Sequence, residues 1–246
     1  MSLARAVRHY IRFSRFLRHT NAPRGVRRVF RRDWYRWYAE RRDRRRYVDQ
    51  WATRIDQGAK FSTKWLDGHL YNQEQAFLES GKADSMEEIL EIGSYEGRST
   101  KYLFLRFPSA RLTAVDTWEG SEEHAGDEGL RSLEAVFDAN VSQFKDRLTK
   151  YKGRSIEFFA SNQPEEHYDL SYVDGSHFGD DVLVDAVEAF RRTKPEGLII
   201  FDDYTWAYHE RSSDNVAVPL NNFLRVKAGQ YRVLSVTDQL IIQKLQ

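Results

Sequence analysis

Residues 168–204 read YDLSYVDGSHFGDDVLVDAVEAFRRTKPEGLIIFDDY. Two short apolar runs, Leu170–Val173 and Leu198–Phe201, each end in acid: Asp174 after the first, Asp202 and Asp203 after the second. Runs bounded this way read as buried parallel strands, with the amphipathic stretch between them as their crossover helix. Parallel neighbours set their carboxyl ends on one edge of the sheet, where open α/β folds hold ligands. Three carboxylates therefore converge on that edge, and His177 follows the first by three residues. Hard oxygen donors in a chain without cysteine favour Mg²⁺, Mn²⁺ or Ca²⁺ over structural zinc. A histidine, with an ordinary pKa of ~6.5, can take a proton beside them at neutral pH. The competing reading is structural: the acids cap strand ends and His177 opens a helix bonded to one of them.

A second glycine-bearing turn lies upstream, in ILEIGSYEGRSTKYLFLRF, residues 89–107. Ile89–Ile92 reads as a strand, Gly93–Gly97 as a tight turn, and residues 98–107 as a helix whose N-terminus offers unpaired N–H groups. The next strand, Arg111–Val115, ends in Asp116, 23 residues after Gly93. An acid at about that distance is where α/β folds bind ribose hydroxyls. The glycine spacing is G-x-x-x-G rather than the G-x-G-x-x-G of pyrophosphate binders, and Glu96 sits inside the loop. An internal carboxylate opposes a pyrophosphate but tolerates a cationic centre, as in S-adenosylmethionine.

Further along, residues 133–148 have one apolar face and read as a helix. Ser155–Phe159 reads as the third strand and residues 216–227 as a helix. Residues 231–235 and 239–243 form a terminal hairpin. GSEEHAGDEG, residues 120–129, is long enough to be a lid over an acceptor, with His124 a solvated loop residue. The polar loop after Tyr204, with Trp206, Tyr208 and His209, should shape the acceptor pocket.

From about Ile89 to the C-terminus the sequence resembles class I S-adenosylmethionine-dependent methyltransferases. It is most similar to the metal-dependent O-methyltransferases: the catechol and caffeoyl-CoA enzymes and, closer in motif, the macrolide-sugar enzymes. The resemblance rests on LEIGSYEGRST, VDTWEG, FFASNQP, YVDGSH and FDDY. It implies a three-layer α/β sandwich with a Rossmann-like, mostly parallel seven-stranded sheet and an antiparallel C-terminal strand. It implies that Glu91, Gly93, Tyr95 and Ser99 hold the methionine end and Asp116 the ribose, with Ser94, Gly97 and Thr117 also in the cofactor site. Ser161 and Asn162 would hold adenine. Asp174, Asp202 and Asp203 would hold Mg²⁺ or another divalent cation, with Asp174 also beside the cofactor, and His177 would be the general base. The implied acceptor is a hydroxyl of a small molecule or sugar. The catechol type has Asp-Asn where this chain has Asp202 and Asp203; the sugar type has two acids there and a histidine three residues after the first Asp, as here.

The chain has 246 residues, enough for one large domain with an extension, and no cysteine with which to form a disulfide. No run approaches the ~20 apolar residues of a membrane span, so a cytoplasmic location is expected. Residues 1–50 hold 16 Arg, no Lys and four acids, an excess of 12 positive charges; the remainder holds 22 bases and 33 acids, an excess of 11 negative. The expected organisation is a basic helical extension, 1–60, on a methyltransferase domain, 61–246. The extension could pack on the acidic body or a second copy of the chain, lie on an anionic membrane surface, or bind nucleic acid. Two other functions stay open on sequence alone: an adaptor working through the basic arm, and an RNA methyltransferase. A metal chelated by vicinal hydroxyls favours sugars or catechols over RNA.

Overall fold

The computed structural model describes residues 3–120, 132–161 and 164–246, and side chains from residue 7 onward. Seven strands form one sheet: β1 (Glu88–Ile92), β2 (Arg111–Asp116), β3 (Leu148–Lys152), β4 (Tyr168–Val173), β5 (Thr193–Phe201), β6 (Tyr231–Val236) and β7 (Leu240–Lys244). Their order is β3-β2-β1-β4-β5-β7-β6, with β7 antiparallel to both of its neighbours and the remaining pairs parallel. Side chains alternate across the sheet with period two. Leu198 and Ile200 of β5 enter one apolar cluster and Ile199 and Phe201 enter another. The expected sandwich with an antiparallel C-terminal hairpin is therefore observed.

The first cluster is covered by α4 (Leu70–Ser80), α5 (Arg98–Arg106) and α6 (Leu133–Val141), with Ile55 from α3 (Arg41–Asp56). On the other face lie α8 (Gly179–Arg192) and α9 (Ala217–Val226), together with α1 (Leu3–His19) and α2 (Arg24–Ala39). The N-terminal arm is thus part of the folded body. Phe13, Leu17, Val26, Val29 and Phe30 are buried in the same cluster as Phe223, Leu224 and Ile242. Helix α2 also covers strand β6: Asp33 Oδ2 accepts the Val236 amide at 2.8 Å, and the Arg32 guanidinium donates to the Leu234 carbonyl. A sheet edge left open is a template for unwanted pairing; here a helix satisfies its backbone groups.

One strand lies elsewhere than expected. Residues 155–159 open the short helix α7 (Ser155–Ala160), and β3 is the preceding segment LTKYK. The region expected as one helix to residue 148 ends at Val141, continues as a 3₁₀ turn over Ser142–Arg147 and then becomes β3. The physical reason is that β3 is an edge strand with a mostly solvated face, so it lacks the apolar run of a central strand, whereas SIEFF is apolar and short enough to fit either state.

Candidate active site

Strand register assembles the site. Ile92 pairs with Val115 on one side and Val173 on the other, and Val173 pairs with Phe201. The residues that follow, Gly93, Asp116, Asp174 and Asp202, therefore stand side by side where the strand order reverses, the usual ligand crevice of an open α/β sheet. The ladder runs one bond further on each: Gly93 N–H donates to Val115 O at 2.9 Å, Asp174 N–H to Ile92 O at 2.7 Å and Asp202 N–H to Val173 O at 2.9 Å. A cleft of about 960 Å³ opens above them.

The glycine loop forms one wall. Gly93 has φ +82°, and a Cβ placed there would lie 1.9 Å from the Asp174 carbonyl oxygen. Only glycine lets the two strand ends meet so closely. Asp116 organises the loop: its Oδ2 accepts the amides of Ser94 and Tyr95 at 2.7 and 2.8 Å, and its Oδ1 accepts that of Trp118 at 2.7 Å. A carboxylate offers about four lone-pair sites, so this pattern leaves one for a ligand hydroxyl. Beneath the loop Glu91 is fully buried and accepts the hydroxyls of Ser94, at 2.8 Å, and Thr100. Burial pushes its carboxyl up to about 7, while the hydroxyls of Ser99, Thr100 and Ser94 pull the other way.

At the other end, ligand atoms of Asp174, His177 and Asp203 all lie within 4.8 Å of one another. His177 Nε2 is 3.1 Å from Asp203 Oδ2, and its ring lies 4.6 Å from that of Trp206. Asp203 adopts φ +51°, an uncommon conformation for a residue with a side chain and one associated with functional positions. The Asp174 carboxyl is held well above the usual carboxylate range by burial and then by Asp202, Asp203, Glu91 and Asp116. So many acids around one point fit a cation better than they fit one another. Asp202 stands beside this group, but its Oδ2 already accepts the Tyr172 hydroxyl and Gln239 Nε2, and its Oδ1 accepts the Asp203 amide at 2.8 Å.

Of the expected cofactor residues, Gly93, Ser94, Tyr95, Ser99, Asp116, Thr117 and Asp174 line the cleft. Glu91 braces the loop from below. Gly97, with φ +81°, lies against Phe137 and Val141 and starts α5. Ser161 does not line the cleft; its hydroxyl donates to Phe158 O at 2.6 Å at the end of α7. Asn162, like the expected lid and His124, lies outside the described residues. Gly153, Arg154 and Ser155, which the sequence reading did not single out, line the cleft directly after β3. Gly153 N–H donates to Asp116 O at 3.0 Å, tying this turn to the glycine loop. The misplaced third strand concealed these residues; a G-R-S turn directly after LTKYK was the signal that could have found them.

Residues 90–204 match the protein family described as a methyltransferase domain. The similarity to a methyltransferase domain therefore spans a little under half of the chain. Among solved structures, the fold matches the O-methyltransferase TomG from Streptomyces achromogenes in complex with SAM, at TM-score 0.52 and 16% identity, over 72% of this chain and 80% of that one. It matches the O-methyltransferase from Bacillus cereus in complex with SAH, at 0.51 and 17%, over 90% and 100%. It also matches the MycE methyltransferase of mycinamycin biosynthesis, in complex with Mg, SAH and mycinamycin VI, at 0.54 and 16%, over 81% of this chain and 55% of that one. A curated relative, the uncharacterized protein y4gI of Sinorhizobium fredii (strain NBRC 101917 / NGR234), is 26% identical over 171 residues, 65% of this chain. The match covers 18% of that much longer protein. The expected resemblance is thus met by the family match over residues 90–204, and the fold is that of solved O-methyltransferases.

Proposed function

We propose that the methyltransferase domain moves the methyl group of S-adenosylmethionine to a hydroxyl oxygen of a small molecule or sugar, assisted by a divalent cation. The observation that carries this reading is the meeting of Asp174, His177 and Asp203 at the end of a cleft whose other wall is the Gly93 loop. The glycine loop and the open lone pair of Asp116 suit the nucleoside, and Gly153–Ser155 suit its base. S-adenosylmethionine supplies a methyl group on a sulfonium, and the acidic surroundings of Glu91, Asp116 and Asp174 favour that positive charge. Asp174 and Asp203 would hold the cation, with the remaining Oδ1 lone pair of Asp202 available to it. A divalent cation supplies charge that lowers the pKa of a nearby hydroxyl and helps to orient it.

His177 would act as the general base toward the acceptor hydroxyl, its ring set by the 3.1 Å contact of Nε2 with Asp203 Oδ2 and packed on Trp206. General-base help of this kind is worth ~10²–10⁴-fold. Trp206, Tyr208, His209 and Phe178 form one side of the acceptor pocket and Trp65 with Tyr95 the other. Flat aromatic walls suit a phenol or the apolar face of a sugar. His209 is pinned through its backbone by Asn215, at 2.9 Å in both directions, and its buried Nε2 has no partner among the described residues. It is therefore placed to bond a second acceptor hydroxyl. Much of the rate should come from holding oxygen and methyl in line.

The proximity of His177 to both acids favours a second role for it, as a nitrogen ligand to the cation. One experiment separates the roles. Binding of S-adenosylhomocysteine and Mn²⁺ is measured by calorimetry and transfer to catechols and vicinal-diol sugars by mass spectrometry, for the unaltered chain and His177→Gln. A base predicts unchanged Mn²⁺ affinity and transfer at least ~100-fold slower; a ligand predicts Mn²⁺ affinity lost as well. Absence of S-adenosylhomocysteine binding by the unaltered chain would sink the whole proposal.

A further inference from the structure

The arm reaches the body through its apolar residues, so its charge is left pointing outward. Arg8, Arg12, Arg15 and Arg18 of α1 are exposed, as are Arg24, Arg28 and Arg31 of α2. Among the described residues none of these seven makes an ion pair, and the one bridge from α1 or α2 to the rest of the chain beyond α3 is Arg32–Glu79. The acidic body therefore does not neutralise the arm. The first 50 residues use arginine and no lysine, and the planar guanidinium is the cation that pairs bidentately with phosphate.

The outer faces are not uniformly charged. On α1, Val7 and Ile11 stand one turn apart, 41% and 43% exposed, beside Arg8, Arg12 and Arg15. On α2, Arg24, Arg28, Arg31 and Tyr35 follow one another at helical spacing, and Tyr35 is 70% exposed. Exposed aliphatic and tyrosine side chains amid arginines suit a headgroup region, where the cation meets phosphate and the apolar side chain enters the acyl boundary. A nucleic acid duplex would use the arginines but leaves Val7 and Ile11 without a role.

We propose that the outer faces of α1 and α2 dock the protein peripherally on an anionic lipid surface. No helix among the described residues is long and apolar enough to cross a membrane, so the contact is interfacial. It draws on charge and on a few shallow apolar side chains, and it holds whether or not the cleft transfers methyl groups. Phe16 of α1 packs edge-on against Tyr204, at 6.3 Å between ring centroids, directly after the Asp202 and Asp203 pair. The docking helix is thus built onto the acceptor end of the cleft.

The test is co-sedimentation of the full chain with vesicles of phosphatidylcholine alone or with 30% phosphatidylglycerol. Binding is expected to the anionic vesicles only, falling steeply between 50 and 300 mM NaCl. Each arginine near such a surface adds about fivefold in affinity, so Arg8→Glu/Arg12→Glu/Arg15→Glu should weaken binding by at least ~100-fold. Ile11→Ser should weaken it by a factor that survives high salt. All four positions are exposed, and an unchanged thermal midpoint and circular dichroism spectrum would certify the fold. Three outcomes would overturn the proposal: no binding to anionic vesicles, binding that the folded arginine variant retains, or arginine-dependent binding to duplex RNA with none to vesicles.

Discussion

Gly93 and Asp185 show how single positions govern this molecule. Gly93 lies where two strand ends converge, and any side chain there meets the Asp174 backbone. Gly93→Ala should cost about 1–3 kcal/mol for the left-handed conformation alone, and more for the clash. Chemical denaturation would read the stability loss, and calorimetry with S-adenosylhomocysteine would read an affinity reduced at least tenfold. Asp185 is a buried carboxylate on α8, near Ser155 and Gly175, whose oxygens have no hydrogen-bond partner among the described residues. Burial raises its pKa to about 7, with Ser155 opposing and Asp181 adding to the rise. The unfolded chain releases this proton near pH 4 and the folded chain near pH 7. Between those values the folded state holds more protons, so this group's contribution to stability falls as pH rises and levels off above about 7. Asp185→Asn should raise the thermal midpoint at pH 8 by several degrees and change it much less at pH 4. A flat difference across that range would mean the carboxyl is not protonated in the fold.

At the scale of elements, the central strands were legible because burial on both faces leaves continuous apolar runs. Leu170–Val173 and Leu198–Phe201 each announced a strand and its terminal acid. LTKYK did not, because an edge strand has no such run. Its misreading hid the turn Gly153–Ser155, which faces the cleft directly after the strand. The partnership of α2 and β6 was equally hidden. Asp33 is buried, its pKa raised by that burial against the opposing Val236 amide and Arg32, and its carboxylate holds the amide of an edge strand. Asp33→Ala strands a buried donor and should cost about 1–3 kcal/mol. Urea denaturation would measure that loss, and light scattering should detect more self-association through the uncovered edge. An unchanged midpoint would mean that water replaces the carboxylate freely.

For the whole molecule, the arm decides what can be removed. Phe13, Leu17, Val26, Val29 and Phe30 are buried in a shared core. At about 2 kcal/mol for each such side chain, their burial contributes on the order of 10 kcal/mol as an upper figure. That is comparable with the entire net stability of an ordinary domain. Deleting residues 1–40 should therefore give an aggregated or uncooperatively unfolding protein by size exclusion and circular dichroism. A monomer with an unchanged midpoint would show the arm to be an appendage after all. Sequence by itself determined the α/β class, the glycine loop, the acids at the carboxyl ends of β2, β4 and β5, and the charge asymmetry, because these depend on local pattern and composition. Tertiary structure alone decided which oxygens of Asp202 stay open, that His177 reaches Asp203, and that the basic arm closes a sheet edge. Those outcomes depend on register and on packing between residues as far apart as Asp33 and Val236, distances at which no local periodicity carries information.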